Sequence, residues 1–298
     1  FVLPSNEKEE AIVEVWKDVL GLRKLSANAN FFSVGGDSIK AIQVSSRLYK
    51  RGYKVEIKEI FKFPVIDQLA LYLKPVETLL EQGMEQGNAE LNPIQHWFFD
   101  HNFKNKHHWN QAVMLFSKEQ IDEKAFKSVL NTLIEHHDAL RMVFTSTSLS
   151  DNPSTSLSPI QFNRGLDSGK SYHFAIHDFR NTDNLEKLIE EEAQKVQEGL
   201  NLEKGPLLAV AIYKTSQGDH LQIVIHHLVV DGVSWRILME DLATGYLQAL
   251  EGKPVQFQGK TTSFRSWSNK LKEYALSEKC NEELNYWLEV EKTAVTNI

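Results

Sequence analysis

Cysteine is nearly absent from the 298 residues. Cys280 stands alone, which excludes an intramolecular disulfide and a multi-cysteine metal centre and fits a reducing, cytoplasmic setting. Long apolar runs are missing too. The most apolar stretch, residues 221–230, is broken by His226 and His227 and falls well short of the ~20 residues that span a bilayer. The opening FVLPSNEKEE has no basic segment followed by an apolar one, so neither a secretory leader nor a membrane partner is expected. Positive charge is also in deficit. With 33 Lys and Arg against 40 Asp and Glu, the net charge of −7 argues against a nucleic-acid partner, which would require a basic field.

What is present is the composition of an ordinary globular protein, long enough for two or three domains. Charge divides it unevenly. Residues 1–77 hold 12 basic and 10 acidic side chains, and the remaining residues hold 21 and 30, so two units of different character are expected. Residues 1–74 show a four-helix pattern. Asn6 and Glu9 have capping-box spacing, Ile12, Val13, Trp16 and Leu20 share a helical face, and Gly21 is a natural stop. A second helix is expected from Asp37–Ser38, burying Ile39, Ile42 and Leu48, then a short one near 57–61. The last carries Ile66, Leu69, Ala70 and Leu73. Residues 75–90, polar and repetitive in Glu, Gln and Gly, suggest a linker. From 91 to 298 the pattern turns α/β. Strands are expected at 108–116, 140–144, 207–213 and 220–227, with helices at 121–134, 184–200 and 231–250. A loop is expected at 146–158.

Two constellations carry chemistry. In FFSVGGDSIKAIQV, Gly35 and Gly36 permit a tight turn, Asp37 can cap a helix, and Ser38 falls in its first turn with its hydroxyl exposed. A phosphate esterified there would face the positive end of the helix dipole and free N–H groups. A bare GGDS is equally a plain capped helix after a glycine turn. In LQIVIHHLVVDGVSWRIL, His226 and His227 end an apolar strand, so their side chains point to opposite faces and one can enter a cavity while the other packs. Asp231 and Gly232 then lead into a helix. Both histidines could be structural and Asp231 an ordinary cap.

The wider context favours the chemical alternatives. Phe31 and Phe32 before GGDS, Ile39, Lys40 and Ala41 after it, and the four-helix envelope resemble the peptidyl carrier domain of nonribosomal peptide synthetases. This resemblance implies a 4′-phosphopantetheine arm on Ser38, added by a phosphopantetheinyl transferase. HHLVVDG is similar to the HHxxxDG signature of the condensation superfamily, whose lobes have a chloramphenicol-acetyltransferase-like α/β fold. It implies that His227 is catalytic, that His226 is structural, and that Asp231 holds the loop through an ion pair with Arg141 of HHDALRMVF. A neutral imidazole suits abstraction of a proton α to a thioester, which can spread the charge as an enolate.

Three features resemble the epimerization branch: PIQHWF at 93–98, Ser234–Trp235 after DGV, and Asp37 where carriers serving condensation domains more often have histidine. His107, Trp109, Asn110 and Gln111 look like the strand that follows in that branch and are assigned no chemistry. The expected architecture is therefore a four-helix carrier followed by the N-terminal lobe of an epimerization-type domain. The EGHGRE motif of a second lobe, with its opposing acid/base, is not found, so a longer parent protein is expected. The resemblance also implies an upstream adenylation domain, a downstream condensation domain and an aminoacyl or peptidyl thioester substrate. A carrier with an amide-forming condensation domain, or a carrier and docking module without turnover, remain alternatives. His96, His101, His107 and His108 match no metal-ligand spacing, so no metal is expected.

Overall fold

The computed structural model describes residues 1–76, 82–101, 103–146 and 159–293. Two compact units emerge, one of residues 1–82 with 258–261, the other of residues 83–257 with 262–298.

In the first unit α1 (Glu7–Leu20) begins where the Asn6 side chain accepts a hydrogen bond from the Glu9 N–H at 3.0 Å. It stops at Gly21, whose φ of 68° is costly for a residue with a Cβ. The Glu9 carboxylate completes the cap through Ser5 and the Asn6 amide, not through the Asn6 backbone. Next come α2 (Ser38–Lys50), β1 (Tyr53–Lys54), α3 (Ile57–Lys62), α4 (Ile66–Ala70) and β2 (Lys74–Pro75), with β2 antiparallel to β1. Trp16 and Phe31, both fully buried with ring centroids 4.9 Å apart, lie in a core with Ile12, Leu48, Ile60 and Leu69. The buried face of α2 is Ala41, Val44 and Leu48. Ile39 and Ile42 are only half-buried, because the cap at Asp37 fixes the rotation of the helix. The fourth helix is shorter than expected, ending at Ala70 while Leu73 is still buried.

The second unit contains β3 (Gly87–Ala89), α5 (Pro93–Asp100), β4 (Asn110–Ser117), α6 (Glu123–His136), β5 (Met142–Ser146), β6 (Pro159–Asn163) and β7 (His173–Asp178). It continues with α7 (Leu185–Glu198), β8 (Leu208–Thr215), β9 (Gly218–His226), α8 (Gly232–Leu250), α9 (Phe264–Ala275) and α10 (Glu278–Glu291). Among the described residues the strands form two sheets. One has the order β3-β6-β5 and is antiparallel. The other has the order β4-β9-β8-β7, in which only β7 and β8 run parallel. Strand β8 is buried along almost its whole length, as its unbroken run LAVAIY requires. Its alternate residues Leu208, Val210 and Ile212 meet Val129, Leu130 and Leu133 of α6 and Leu238 and Leu242 of α8. Ala209 shares the other face with Val224, Leu200 and Val196 of α7.

The expected strands and helices at 108–144 and 184–250 are present with shifted ends, and Asp138–Arg141 is a 3-10 turn before β5. The expected linker is too long. Pro75 belongs to β2, and residues 87–89 form β3, paired with β6, so the second unit starts before residue 91. Residues 77–81, and the expected loop at 147–158, lie outside the described residues. Strands β3, β6 and β7 and helices α5, α9 and α10 were not expected at all.

Candidate functional site

At the head of α2, Asp37 accepts from the Ile39 and Lys40 N–H groups at 2.9 and 2.8 Å, and Ser38 is the exposed first helical residue. Gly35 has a φ of 95°. Gly36 has a different reason to be glycine, since a Cβ there would lie 2.5 Å from the Phe31 ring. The buried aromatic thus dictates the turn that lifts Ser38 out. Lys40 ties the turn back, donating to the Gly35 carbonyl at 2.6 Å. These residues fit the phosphopantetheine arm, because the hydroxyl is accessible and stands at the positive end of a helix. One expectation changes. Asp37 already occupies two of the N–H groups a phosphate would use, so an arm on Ser38 would meet the dipole and not an open row of donors.

The paired histidines end β9 with opposite surroundings. The His226 side chain is fully buried, edge-on to Phe98, with Nε2 2.8 Å from the Lys106 carbonyl and Nδ1 accepting from the Leu228 N–H. Burial pushes its imidazole down to about 4, so it is neutral near pH 7. The His227 ring is exposed and lines a cleft of about 620 Å³. Its Nδ1 is 2.8 Å from the Val230 carbonyl, which can only accept. In the neutral ring Nδ1 is therefore the protonated nitrogen and Nε2 the one with the lone pair. Gln111 approaches that nitrogen at 3.2 Å. Strand β4 makes this possible: Gln111 is paired with Ile225 in the sheet, and the Trp109 carbonyl accepts from the His227 N–H.

The rest of the cleft is largely apolar and includes Trp97 and Phe98 of α5, Trp109, Phe264 and Trp267. Among its lining residues only His227 and Asp231 titrate. The loop after β9 is held from behind by Gln95, which donates to Gln161 at 2.7 Å and to the Leu228 carbonyl at 3.3 Å. Gln95 lies in the PIQHWF motif, but nothing in the sequence linked it to Gln161 or to residue 228.

The expected ion pair between Asp231 and Arg141 does not form. Asp231 caps α8, accepting from the Val233 and Ser234 N–H groups and from the Ser234 hydroxyl. Burial raises its carboxyl, yet those hydrogen bonds outweigh it and hold the group below the ordinary carboxylate value. Arg141 is fully buried elsewhere, donating to the carbonyls of Ile134, Glu135, Glu85 and Arg164. It is a clasp for backbone, not a partner of the loop. Gly232 is the first residue of α8, and a Cβ there would meet nothing within 4 Å, so the entry into the helix comes from the Asp231 cap. Of the remaining histidines, His136 and His137 come together with Asp241, their ligand atoms within 4.8 Å of one another. His137 and Asp241 are hydrogen-bonded at 2.8 Å across α6 and α8, and none of the three lines the cleft.

Comparison with known proteins identifies a family for each of the two units. Residues 10–73 match the phosphopantetheine attachment site family, whose domains carry that group covalently, and residues 85–298 match the condensation domain family. The chain is 46% identical to gramicidin S synthase 1 of Brevibacillus brevis over 96% of its own length, and 45% identical to tyrocidine synthase 1 of Brevibacillus parabrevis over 98%. It spans about a quarter of each (25% and 26%). Among solved structures it is similar to the epimerization domain from the third module of tyrocidine synthetase B, with 43% identity and a TM-score of 0.68. That match covers 74% of this chain and 48% of the other. The starter condensation domain of rhizomide synthetase shares the fold, with a TM-score of 0.58 and 16% identity over 71% of this chain and 49% of that one. The matched span of residues 85–298 shows that this chain belongs to the condensation-domain family, with a phosphopantetheine carrier domain ahead of it.

Proposed function

We propose that the chain serves nonribosomal peptide synthesis by offering a thioester, held on a phosphopantetheine arm at Ser38, to the cleft at His227, where the α-carbon is converted from L to D. The observation that carries this reading is the 43% identity to an epimerization domain, against 16% to condensation domains of the same fold. The cleft geometry supports it. His227, its Nδ1 held by the Val230 carbonyl, presents Nε2 to a mainly apolar cleft whose other ionisable lining side chain, Asp231, is engaged in its helix cap. The thioester carbonyl acidifies the α C–H. Nε2, on giving up the Gln111 hydrogen bond, takes that proton, and the electron pair left on carbon moves toward the carbonyl oxygen. Return of a proton to the opposite face needs a second acid, which this account places outside the described residues.

The phosphopantetheine arm supplies the thioester and its reach. A phosphopantetheinyl transferase forms the Ser38 O–P bond as the pyrophosphate of coenzyme A breaks and adenosine 3′,5′-bisphosphate leaves. An upstream adenylation domain would provide the aminoacyl group, and a downstream condensation domain would consume the D-thioester. The test is chiral analysis of the thioester released from a synthetase that contains this chain, loaded with an L-amino acid. A mixture of L and D that disappears with His227→Ala supports the proposal. Amide formation with retained L configuration would move the chain to the condensing branch.

A further inference from the structure

We propose that Gln111 and Trp235 form a positioning relay that fixes which nitrogen of His227 carries the proton. The relay crosses the unit: Trp235 Nε1 donates to Gln111 Oε1 at 2.8 Å, and Gln111 Nε2 stands 3.2 Å from His227 Nε2. An indole N–H can only donate, so it requires the carboxamide oxygen on its side and turns the amide nitrogen toward His227. That nitrogen also only donates. The one arrangement satisfying all three partners has His227 Nε2 as acceptor, with its proton on Nδ1 against the Val230 carbonyl. The neighbouring His226 is set the opposite way, with the Lys106 carbonyl claiming a proton on Nε2.

The consequence is chemical. Protonating His227 at Nε2 points two donors at one another, and flipping the amide to relieve this would set its NH2 against the Trp235 N–H. The relay thus favours the free base and the prompt return of a captured proton, as a reversible inversion demands. Among the described residues no other group near His227 offers that control. Asp231, from the head of α8, is occupied by three hydrogen bonds; His226, behind on β9, is neutral; and Gln95, Trp97 and Phe98 of α5 and Trp109, just before β4, are uncharged. The relay deepens the proposal that His227 handles the α-proton, but its first test does not depend on it.

That test is long-range 1H–15N correlation on the whole chain with 15N-labelled histidine, the His227 signals assigned by their loss in His227→Asn. The wild type is expected to show Nδ1–H as the dominant neutral tautomer. Trp235→Phe should give a mixture, and Gln111→Glu should keep Nε2 protonated to higher pH. A wild type protonated at Nε2 overturns the relay, as does a Gln111→Glu variant with unchanged histidine signals. A second reading uses the pH profile of α-proton exchange in the loaded synthetase. Gln111→Glu should move its inflection upward by about one pH unit, a tenfold change in hydroxide. If the histidine signals respond as expected and exchange is indifferent to His227, the relay stands and the proposed epimerization fails.

Discussion

The heads of α2 and α8 are built almost identically. Each opens on an aspartate in extended backbone, Asp37 with φ −141° and Asp231 with φ −138°, and each carboxylate takes the N–H groups two and three residues on. One is preceded by a glycine turn and lifts a serine into solvent. The other is preceded by a strand end and sits beside an imidazole, at the edge of a mainly apolar cleft. The first site brings no reactive surroundings of its own and depends on an enzyme that comes to it. The second gains its character from Gln111, which lies 116 positions from His227 along the chain. The same local device therefore serves the exposed serine and the proposed active site alike, and what differs is the tertiary structure around it.

That contrast can be attacked where the effects are largest. Ser38→Ala should abolish loading by a phosphopantetheinyl transferase, while circular dichroism and melting stay unchanged, since the exposed hydroxyl supports nothing. Mass spectrometry reads the outcome, and an arm retained by the variant would place the attachment elsewhere. His227→Ala should slow α-proton exchange by about 100-fold or more, again with little change in stability, because its ring is exposed.

The buried neighbour should behave in the opposite way. The folded pKa of His226 is depressed to about 4 from 6.5, so the unfolded chain binds its proton first as pH falls. Its contribution is complete above pH 6.5 and lost by about pH 4, roughly 3 kcal/mol in all. Chemical denaturation of wild type and His226→Gln across that window measures the difference. Parallel curves would show that His226 is not held neutral.

The two caps should be nearly equivalent in stability and unequal in activity. Asp37→Ala and Asp231→Ala each should cost about 1 kcal/mol. Only the second should disturb α-proton exchange, through the loop that bears Val230. The smallest effect is a coupling. A double-mutant cycle between Asp231→Ala and Arg141→Met should be additive to within about 0.5 kcal/mol, since the two groups share no hydrogen bond. A coupling of several kcal/mol would restore the ion pair.

The same comparison explains what could be read in advance. Helices α1 and α2 were legible because their signals are local: Asn6, Gly21, Asp37 and a helical repeat of apolar residues. So were β8 and β9, whose apolar runs are bounded by a turn at Gly218. The same short-range patterns marked the head of α2 and the histidine pair, while the choice of Ser38 and His227 rested on the resemblance. The partners of the site did not. Gln111 and Trp235 are ordinary strand and helix residues until the register of β4 on β9 brings them together. The pairing of Arg141 with Asp231 rested on the resemblance alone, whereas the partners of Arg141 are backbone carbonyls, which leave no mark in a sequence. Helix α10 escaped notice although Cys280, Leu284, Trp287 and Leu288 recur at helical spacing, and that stripe is left unburied.

The most direct measurement is solvent-deuterium incorporation at the α-carbon of an L-aminoacyl thioester carried on Ser38, in a synthetase containing this chain. Wild type should take up one deuterium and yield both configurations. His226→Gln, assayed at a pH where it stays folded, should retain that exchange, and His227→Ala should lose it. Exchange undiminished in His227→Ala would contradict the assignment of proton abstraction to the cleft at the end of β9.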